Sequence, residues 1–266
     1  MKQKPKLGQN FLVDDRARHA IVDALGDIHQ RTVIEIGPGK GAITDILVGR
    51  AGRVIALELD RELAPALAAR YTERSNIEVI ETDVLKVDLK DILPGGEAAD
   101  VIGNLPYYIT SDILLKLFDA ANAGILSRAV VMMQREVADR VAASPGSRDF
   151  GLLSATAQLH AQVENLFTLP PSAFSPPPEV HSTVLRLTFA PRFTELNVDR
   201  QGFIRFLKQS FAQKRKTLDN NLRFAGYSKA QLSAAWPSEI APQARAESVA
   251  LEAMAMLYRS LSNETK

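Results

Sequence analysis

The sequence predicts a doubly wound α/β domain with a mostly parallel sheet, followed by a small all-helical domain. Three observations predict it: short β-rich runs recur at near-regular intervals from Thr32, stretches of helical apolar spacing separate them, and helical spacing alone remains after Gln201. Strands alternating with helices form βαβ units, and such units build parallel sheets. The 266 residues suffice for two domains of about 150 residues or fewer.

The β-rich runs are Thr32–Gly37, Arg53–Glu58, Ile77–Glu81, Ala99–Gly103 and Arg128–Met133. Between them Ile43, Ile46, Leu47 and Arg50, then Leu63, Leu67 and Tyr71, then Ile113, Leu114, Leu117 and Phe118 keep the spacing of one helix face. After Phe150 a helix near Leu152–Ala161, a strand near Val163–Thr168, a proline-rich loop from Pro170 to Pro178 and a strand Ser182–Phe189 are expected. Those two strands would close the sheet as an antiparallel edge. Ala190–Asp199 reads as a linker, because it carries Pro191 and keeps neither periodicity. Phe203, Phe206, Leu207, Ser210 and Phe211 then mark a helix, and Val249, Met254, Met256 and Leu257 a final one. The expected division is 1–195 for the α/β domain, with 1–13 as an N-terminal arm, and 196–266 for the helical domain.

Composition narrows the chemistry. Apolar residues are 46% and charged residues 24% of the chain, ordinary globular values that exclude a disordered or collagen-like protein. The chain has no cysteine, which removes disulfides, thiolate nucleophiles and cysteine-ligated zinc and fits a reducing compartment. His19, His29, His160 and His181 lack ligand spacing, so they are expected to be structural or solvated and no metal site is expected. Met132 and Met133 are expected in the core, as is Trp236. The basic start Met1–Gly8 is not followed by an apolar stretch, and no apolar run reaches the ~18 residues of a membrane span. A cytoplasmic protein is the expectation, with no membrane partner.

Lys and Arg total 32 against 31 Asp and Glu, a net +1 that by itself argues against a nucleic-acid partner. The regional distribution reverses that inference. Arg200–Arg223 holds seven basic residues against one acid, Asp219, a local +6, and Lys2, Lys4 and Lys6 precede the first acid, Asp14. Aromatic residues lie beside the run Phe211–Leu218, which reads as a phosphate-binding surface carried by Lys208, Lys214, Arg215, Lys216 and Arg223.

The loop Gly37-Pro38-Gly39-Lys40-Gly41-Ala42 follows the first strand and opens a helix. Glycines serve where backbone turns tightly and must approach a ligand without a Cβ in the way. Two cofactors fit it, a nicotinamide dinucleotide and S-adenosylmethionine, since both place an acid such as Glu58 after the second strand to accept from a ribose diol. S-adenosylmethionine has no pyrophosphate, so a neighbouring acid such as Glu35 is tolerable. Asp83, just past the third strand and placed to accept from an adenine amino group, tips the balance toward it. Taken alone, Asp83 would read as a helix N-cap.

Gly103-Asn104-Leu105-Pro106-Tyr107-Tyr108-Ile109 lies at the carboxyl end of the fourth strand, where open α/β sheets keep their ligands. An exocyclic adenine amine is a poor nucleophile, because its lone pair is delocalised into the ring. An Asn side-chain oxygen and a backbone carbonyl aimed at its hydrogens pull the nitrogen toward tetrahedral geometry and point the lone pair at a methyl donor. Asn104 and the carbonyl of Leu105 suit this, since Pro106 biases Leu105 to an extended conformation. Tyr107 offers a face on which an extruded base stacks. No titrating base is required.

With these residues in place, the sequence resembles the ribosomal RNA adenine N6-methyltransferases, most closely their bacterial small-subunit branch. The resemblance runs from about Gly8 to Leu261 and rests on Gly8–Leu12, the glycine loop, Glu58-Leu59-Asp60, Asp83, Asn104–Tyr107, Gln134–Val137, Phe174–Val180 and Lys214–Leu218, in that order. It implies a Rossmann-like class I methyltransferase domain, S-adenosylmethionine as cofactor, and methyl transfer to N6 of two adjacent adenines of small-subunit rRNA within immature small subunits. A monomer is expected. By the resemblance Asn10 and Leu12 would cover the cofactor, Gly37 in its loop with Gly39 would contact the methionyl part, and Glu58 would hold the ribose. Asp83 would bind the adenine, and Asn104 would bridge cofactor and target base. Phe174 would stack on the target adenine opposite Tyr107; a loop anchor packed on the core is its other reading. The family often has Asn where this chain has Tyr108, which is expected to alter the pocket's shape and not the reaction class.

Three alternatives stay open. A large-subunit relative of the macrolide-resistance type shares the cofactor motifs, and Phe211–Leu218, Asn220-Asn221-Leu222 and Arg245-Ala246-Glu247 speak for the small-subunit branch. A ribosome-assembly binding factor with secondary methylation would keep the same residues. A dehydrogenase would leave Asn104, Tyr107 and Phe174 without a role.

Overall fold

The computed structural model describes residues 9–93, 95 and 98–263. Lys2, Lys4, Lys6 and the arm before Gln9 lie outside the described residues. In chain order the elements are β1 (Phe11–Leu12), α1 (Asp15–Asp23), β2 (Thr32–Ile36), α2 (Thr44–Leu47), β3 (Arg53–Glu58), α3 (Leu63–Arg70), β4 (Ile77–Glu81), α4 (Leu89–Ile92), β5 (Ala99–Asn104) and α5 (Thr110–Asn122). There follow β6 (Leu126–Gln134), α6 (Arg135–Ala142), α7 (Leu152–His160), β7 (Ala161–Leu169), β8 (Phe174–Ser175), β9 (Ser182–Phe189), α8 (Arg200–Ser210), α9 (Leu218–Phe224), α10 (Lys229–Ala235) and α11 (Leu251–Asn263).

Seven strands form one sheet in the order β4-β3-β2-β5-β6-β9-β7. The pairs β4–β3, β3–β2, β2–β5 and β5–β6 are parallel, and β9 joins β6 antiparallel, with Val130 opposite Arg186. β2, β3 and β5 are buried along nearly their whole length, as strands covered on both faces must be, whereas β4 at the edge is only half-buried. The antiparallel edge expected from Val163–Thr168 and Ser182–Phe189 is present as β7 and β9, with β9 on the inner side. Met132 and Met133 are buried in β6. The helical spacing at Ile43–Arg50 yields only the four-residue α2, because beyond Val48 the chain turns more tightly, with the Gly49 amide donating to the Ile46 carbonyl at 3.2 Å and the Arg50 amide to the Leu47 carbonyl at 2.9 Å.

The chain runs outward from β2 through β3 to β4 and then returns to the other side of β2 as β5. That reversal opens a crevice beyond the carboxyl ends of β2 and β5, the usual ligand position of such sheets. Gly103 lets the two strands close there, since a Cβ would stand 2.5 Å from the Ile36 carbonyl oxygen.

Two compact units result, and the division differs from the expected boundary at 195/196. One unit comprises the chain up to Ala138 with Gln162–Ala190, and the other Asp139–Ala161 with Pro191–Lys266. The reason is apolar: Phe150, Ala155 and Leu159, on and before α7, are buried in one cluster with Phe203, Phe206 and Leu207 of α8, Leu218 and Leu222 of α9 and Met254 and Leu257 of α11. The segment read as a linker also belongs to this cluster. Leu196 is buried in it, the Arg192 amide donates to the Leu159 carbonyl at 2.9 Å, and the Arg192 guanidinium pairs with Glu195 and Glu252. Trp236 packs against the same cluster, and its Nε1–H donates to the Ile240 carbonyl at 2.9 Å.

Candidate active site

A cavity of about 500 Å³ lies in the α/β unit at the carboxyl ends of β2, β3 and β5. Its wall includes Asn10, Leu12, Gly37, Gly39, Glu58, Asp83, Asn104, Leu105, Pro106 and Tyr107, residues drawn from stretches far apart in sequence.

Positive φ at Gly37 (67°), Gly39 (57°) and Gly41 (83°) turns the loop sharply after β2. Such angles strain any residue with a Cβ. At Gly39 a Cβ would also stand 3.0 Å from the Phe11 ring, which lies against the loop beneath the Lys40 ammonium. The arm is fixed at its other side by the antiparallel pair β1–β8, with Leu12 opposite Phe174, and by the Val13 amide donating to the Ala173 carbonyl at 2.8 Å.

Carboxylates dominate the polar wall. Glu58, at the end of β3, is buried, and its two oxygens accept from the backbone amides of Gly39 at 2.8 Å and Asp60 at 2.9 Å. Glu35, at the inner end of β2, is buried and accepts from the Thr44 hydroxyl at 2.7 Å. Burial pushes its carboxyl up to about 8; the Thr44 hydrogen bond opposes the shift, and the charges of Glu58 and Asp45 add to it. Among the described residues neither Glu35 nor Glu58 forms an ion pair. Asp83, past β4, turns one oxygen to the Leu85 amide at 2.9 Å and the other toward Lys86 at 4.0 Å, so it caps a turn while lining the cavity.

The Asn104–Tyr107 tetrad is held from four sides. The Leu105 amide donates to the Met132 carbonyl at 2.8 Å, carrying the β5–β6 pairing past the strand end. The Pro106 carbonyl accepts from the Thr110 hydroxyl at 2.9 Å, which starts α5. Tyr107 and Ser182 share a hydrogen bond of 2.9 Å between their hydroxyls, and burial pushes the Tyr107 phenol up. Asn104 Nδ2 donates to the Asn10 carbonyl at 3.2 Å, while Asn104 Oδ1 is buried with no hydrogen-bond partner in the structure. An orphaned buried acceptor at a cavity wall is the signature of a group waiting for a donor.

Phe174 requires a correction. It is 3% exposed, sits in the core cluster with Leu12, Ala17 and Ile21, and does not line the cavity; its neighbour Ser175 does. The cause is the β1–β8 pair, which turns the Phe174 side chain inward, so its packing is that of a loop anchor. The exposed ring at the cavity is instead Tyr108, 66% exposed. Residues that the sequence did not single out, Phe11 against Gly39, Thr44 on Glu35 and Ser182 on Tyr107, support the site. Phe11 alone had a signal, its place between Asn10 and Leu12.

Lys208, Lys214, Arg215, Lys216 and Arg223 all lie in the helical unit and are exposed. Arg223 stands 3.9 Å from Asp219, and among the described residues no carboxylate pairs with the other four. No group of three or more His, Cys, Asp or Glu among the described residues is arranged to hold a metal.

The site fits a cationic ligand carrying hydrogen-bond donors. Buried carboxylates without cations, glycines whose missing side chains leave room and an unpaired Asn104 oxygen suit S-adenosylmethionine, with its sulfonium, ammonium, ribose and adenine groups. A nicotinamide dinucleotide would bring a pyrophosphate against this acidic wall.

Comparison with known proteins agrees. The family model described as ribosomal RNA adenine dimethylase matches residues 1–263. The chain is 60% identical over 265 residues to the ribosomal RNA small subunit methyltransferase A of Acidobacterium capsulatum, covering 99% of this chain and 93% of that protein. It is 53% identical to the protein of the same name from Koribacter versatilis, covering 97% and 94%. A solved dimethyladenosine transferase from Plasmodium falciparum has the same fold, with a TM-score of 0.79 at 22% identity over 96% of this chain and 98% of that one.

Proposed function

Because the chain belongs to the ribosomal RNA adenine dimethylase family, we propose that it transfers methyl groups from S-adenosylmethionine to N6 of adenine in small-subunit rRNA. The observation that carries the reading is the buried, unpartnered Oδ1 of Asn104 on the cavity wall. Glu58 would hold the ribose, the loop Gly37–Gly39 would lie against the methionyl part, Asp83 would accept from the adenine amine, and Asn10 and Leu12 would close the cavity from the arm. The bound cofactor supplies an electrophilic methyl group on a sulfonium.

The protein's own residues prepare the nucleophile. Asn104 Oδ1 accepts one N6 hydrogen of the target adenine and the Leu105 carbonyl accepts the other, which restores tetrahedral character to the nitrogen and frees its lone pair. The Tyr107 ring gives the extruded base a stacking face, fixed by the Ser182 hydroxyl. With the acceptors in place before the reaction, little reorganisation is needed as charge develops.

The finer reading is dimethylation of two adjacent adenines within immature small subunits in the cytoplasm, by the chain acting as a monomer. Its support is that the curated relatives are named for the small subunit. The test is Asn104→Ala, assayed by labelled methyl incorporation into unmethylated small subunits beside calorimetric titration with S-adenosylmethionine and with NAD. Transfer should fall by about 100-fold or more while small-subunit binding persists. Unchanged transfer, or preference for NAD, would overturn the reading.

A further inference from the structure

Phe224 ends α9 with its side chain 78% exposed, more than any other large apolar side chain of the described residues; Val13, Leu59, Tyr108, Leu115 and Val180 range from 43% to 66%. An exposed phenylalanine gains nothing for folding, and this one stands beside the strongest charge run of the chain. Resting on the rRNA reading above, we propose that Phe224 is a stacking platform for an unpaired base of the RNA whose phosphates the turn Lys214–Lys216 holds.

The turn and the ring belong to one rigid piece. Asn221, buried on the inner face of α9, donates from Nδ2 to the Ser210 carbonyl at 2.8 Å and the Gln213 carbonyl at 3.2 Å, and its Oδ1 accepts from the Gln213 amide at 3.1 Å. The turn is thereby pinned to the helix that carries Phe224. The helix is capped by Thr217, whose hydroxyl accepts from the Asn220 amide, and its register is set by the buried Leu218, Asn221 and Leu222. At 100° per residue those three face inward, so Asn220, Arg223 and Phe224 face solvent together.

Distance and chemistry select RNA as the occupant. Seven residues of helix span roughly 10 Å, a reach that a short stretch of unpaired strand covers. One strand can therefore leave its phosphates at Lys214, Arg215 and Lys216 and present a base to Phe224. Paired bases offer no free face, so the contact is with a loop, a bulge or an end. An acidic protein partner would use the same cations but would not need a ring; a ribosomal protein with an apolar patch would need apolar bulk of any shape.

The experiment measures binding of the full chain to unmethylated small subunits over a series of salt concentrations, with thermal unfolding of each variant as a control. Phe224→Ala should weaken binding roughly 5- to 150-fold, the range of one base–aromatic stack, at every salt concentration and with an unchanged slope of log K against log salt. Phe224→Trp should restore it and Phe224→Leu should not. Lys214→Ala should lower the slope by about one. If Phe224→Ala binds as wild type while Lys214→Ala lowers the slope, stacking is wrong and the phosphate surface stands. Full rescue by Phe224→Leu overturns stacking in favour of an apolar protein contact. If binding is insensitive to salt and to Lys214→Ala, the RNA-binding reading of the helical unit falls and stacking with it.

Discussion

Buried carboxylates lie at both ends of the same sheet, and they are treated in opposite ways. At the amino end of β5, Asp100 is fully buried; it accepts from Arg31 Nε at 3.0 Å, Arg128 Nε at 3.0 Å and the Ser127 hydroxyl at 2.6 Å. At the carboxyl ends of β2 and β3, Glu35 and Glu58 are as deeply buried and receive only a hydroxyl and backbone amides. A buried charge is tolerated when paired and costs stability when it is not. The closed end is therefore architecture, and the open end holds acceptor capacity in reserve for a cationic ligand.

The largest effect expected from breaking this contrast is at the closed end. Arg31→Ala leaves Asp100 buried with one guanidinium fewer, and Arg31 also donates from Nη2 to the Ala98 carbonyl at 2.8 Å. A loss of about 3 kcal/mol of stability is expected, the low end for breaking a buried pair because Arg128 remains. Urea denaturation measures it, and calorimetry with S-adenosylmethionine should show affinity unchanged in the folded fraction. A variant of wild-type stability would mean that the pair is not structural.

A middle effect belongs to Glu58→Gln. A glutamine amide can accept on one oxygen only, so either the Gly39 or the Asp60 amide would meet an NH₂ group. About 2 kcal/mol of stability should go with that charge-assisted bond, and cofactor affinity should fall by roughly tenfold or more, about 1.4 kcal/mol. Here binding and stability move together, in contrast to Arg31→Ala; loss of stability with intact affinity would take Glu58 out of the ligand site.

The contrast also marks what the sequence could and could not reveal. The strands, the glycine loop and the place of Asn104 were legible because each depends on local pattern: β-rich runs, backbone turns that need glycine, a motif at a strand end. The joining of Asp139–Ala161 to the helical unit was not, because it follows from which apolar face α7 buries, and that partner lies more than forty residues away in α8. Phe174 was misplaced for the same reason. Its environment is set by pairing with Leu12, far earlier in the chain, and a phenylalanine among prolines carries no local sign of that partner. The pairing of Arg31 with Asp100 spans 69 residues and left no trace in spacing.

The variant with the smallest effect near pH 5, and the one that probes the open end most directly, is Glu35→Gln. In the unfolded chain the Glu35 carboxyl ionises near 4.5, and in the folded protein burial pushes it up to about 8. Below the unfolded value both states hold the proton, so the buried carboxyl contributes fully. As pH rises toward the folded value, the unfolded state gives up its proton and the folded state keeps it, so stability declines across that window and levels off above it. Glu35→Gln has no proton to lose. Near pH 5 the two proteins should unfold within about 1 kcal/mol of each other, since a neutral carboxyl and an amide both meet the Thr44 hydroxyl. Near pH 8 the variant should be the more stable. A bound cation favours the ionised carboxylate, so S-adenosylmethionine affinity of the wild type should rise with pH over the same window and that of the variant should stay level. Parallel stability profiles for the two proteins would show that Glu35 is ionised when folded, and the open end would then hold a fixed negative charge rather than a proton that the ligand displaces.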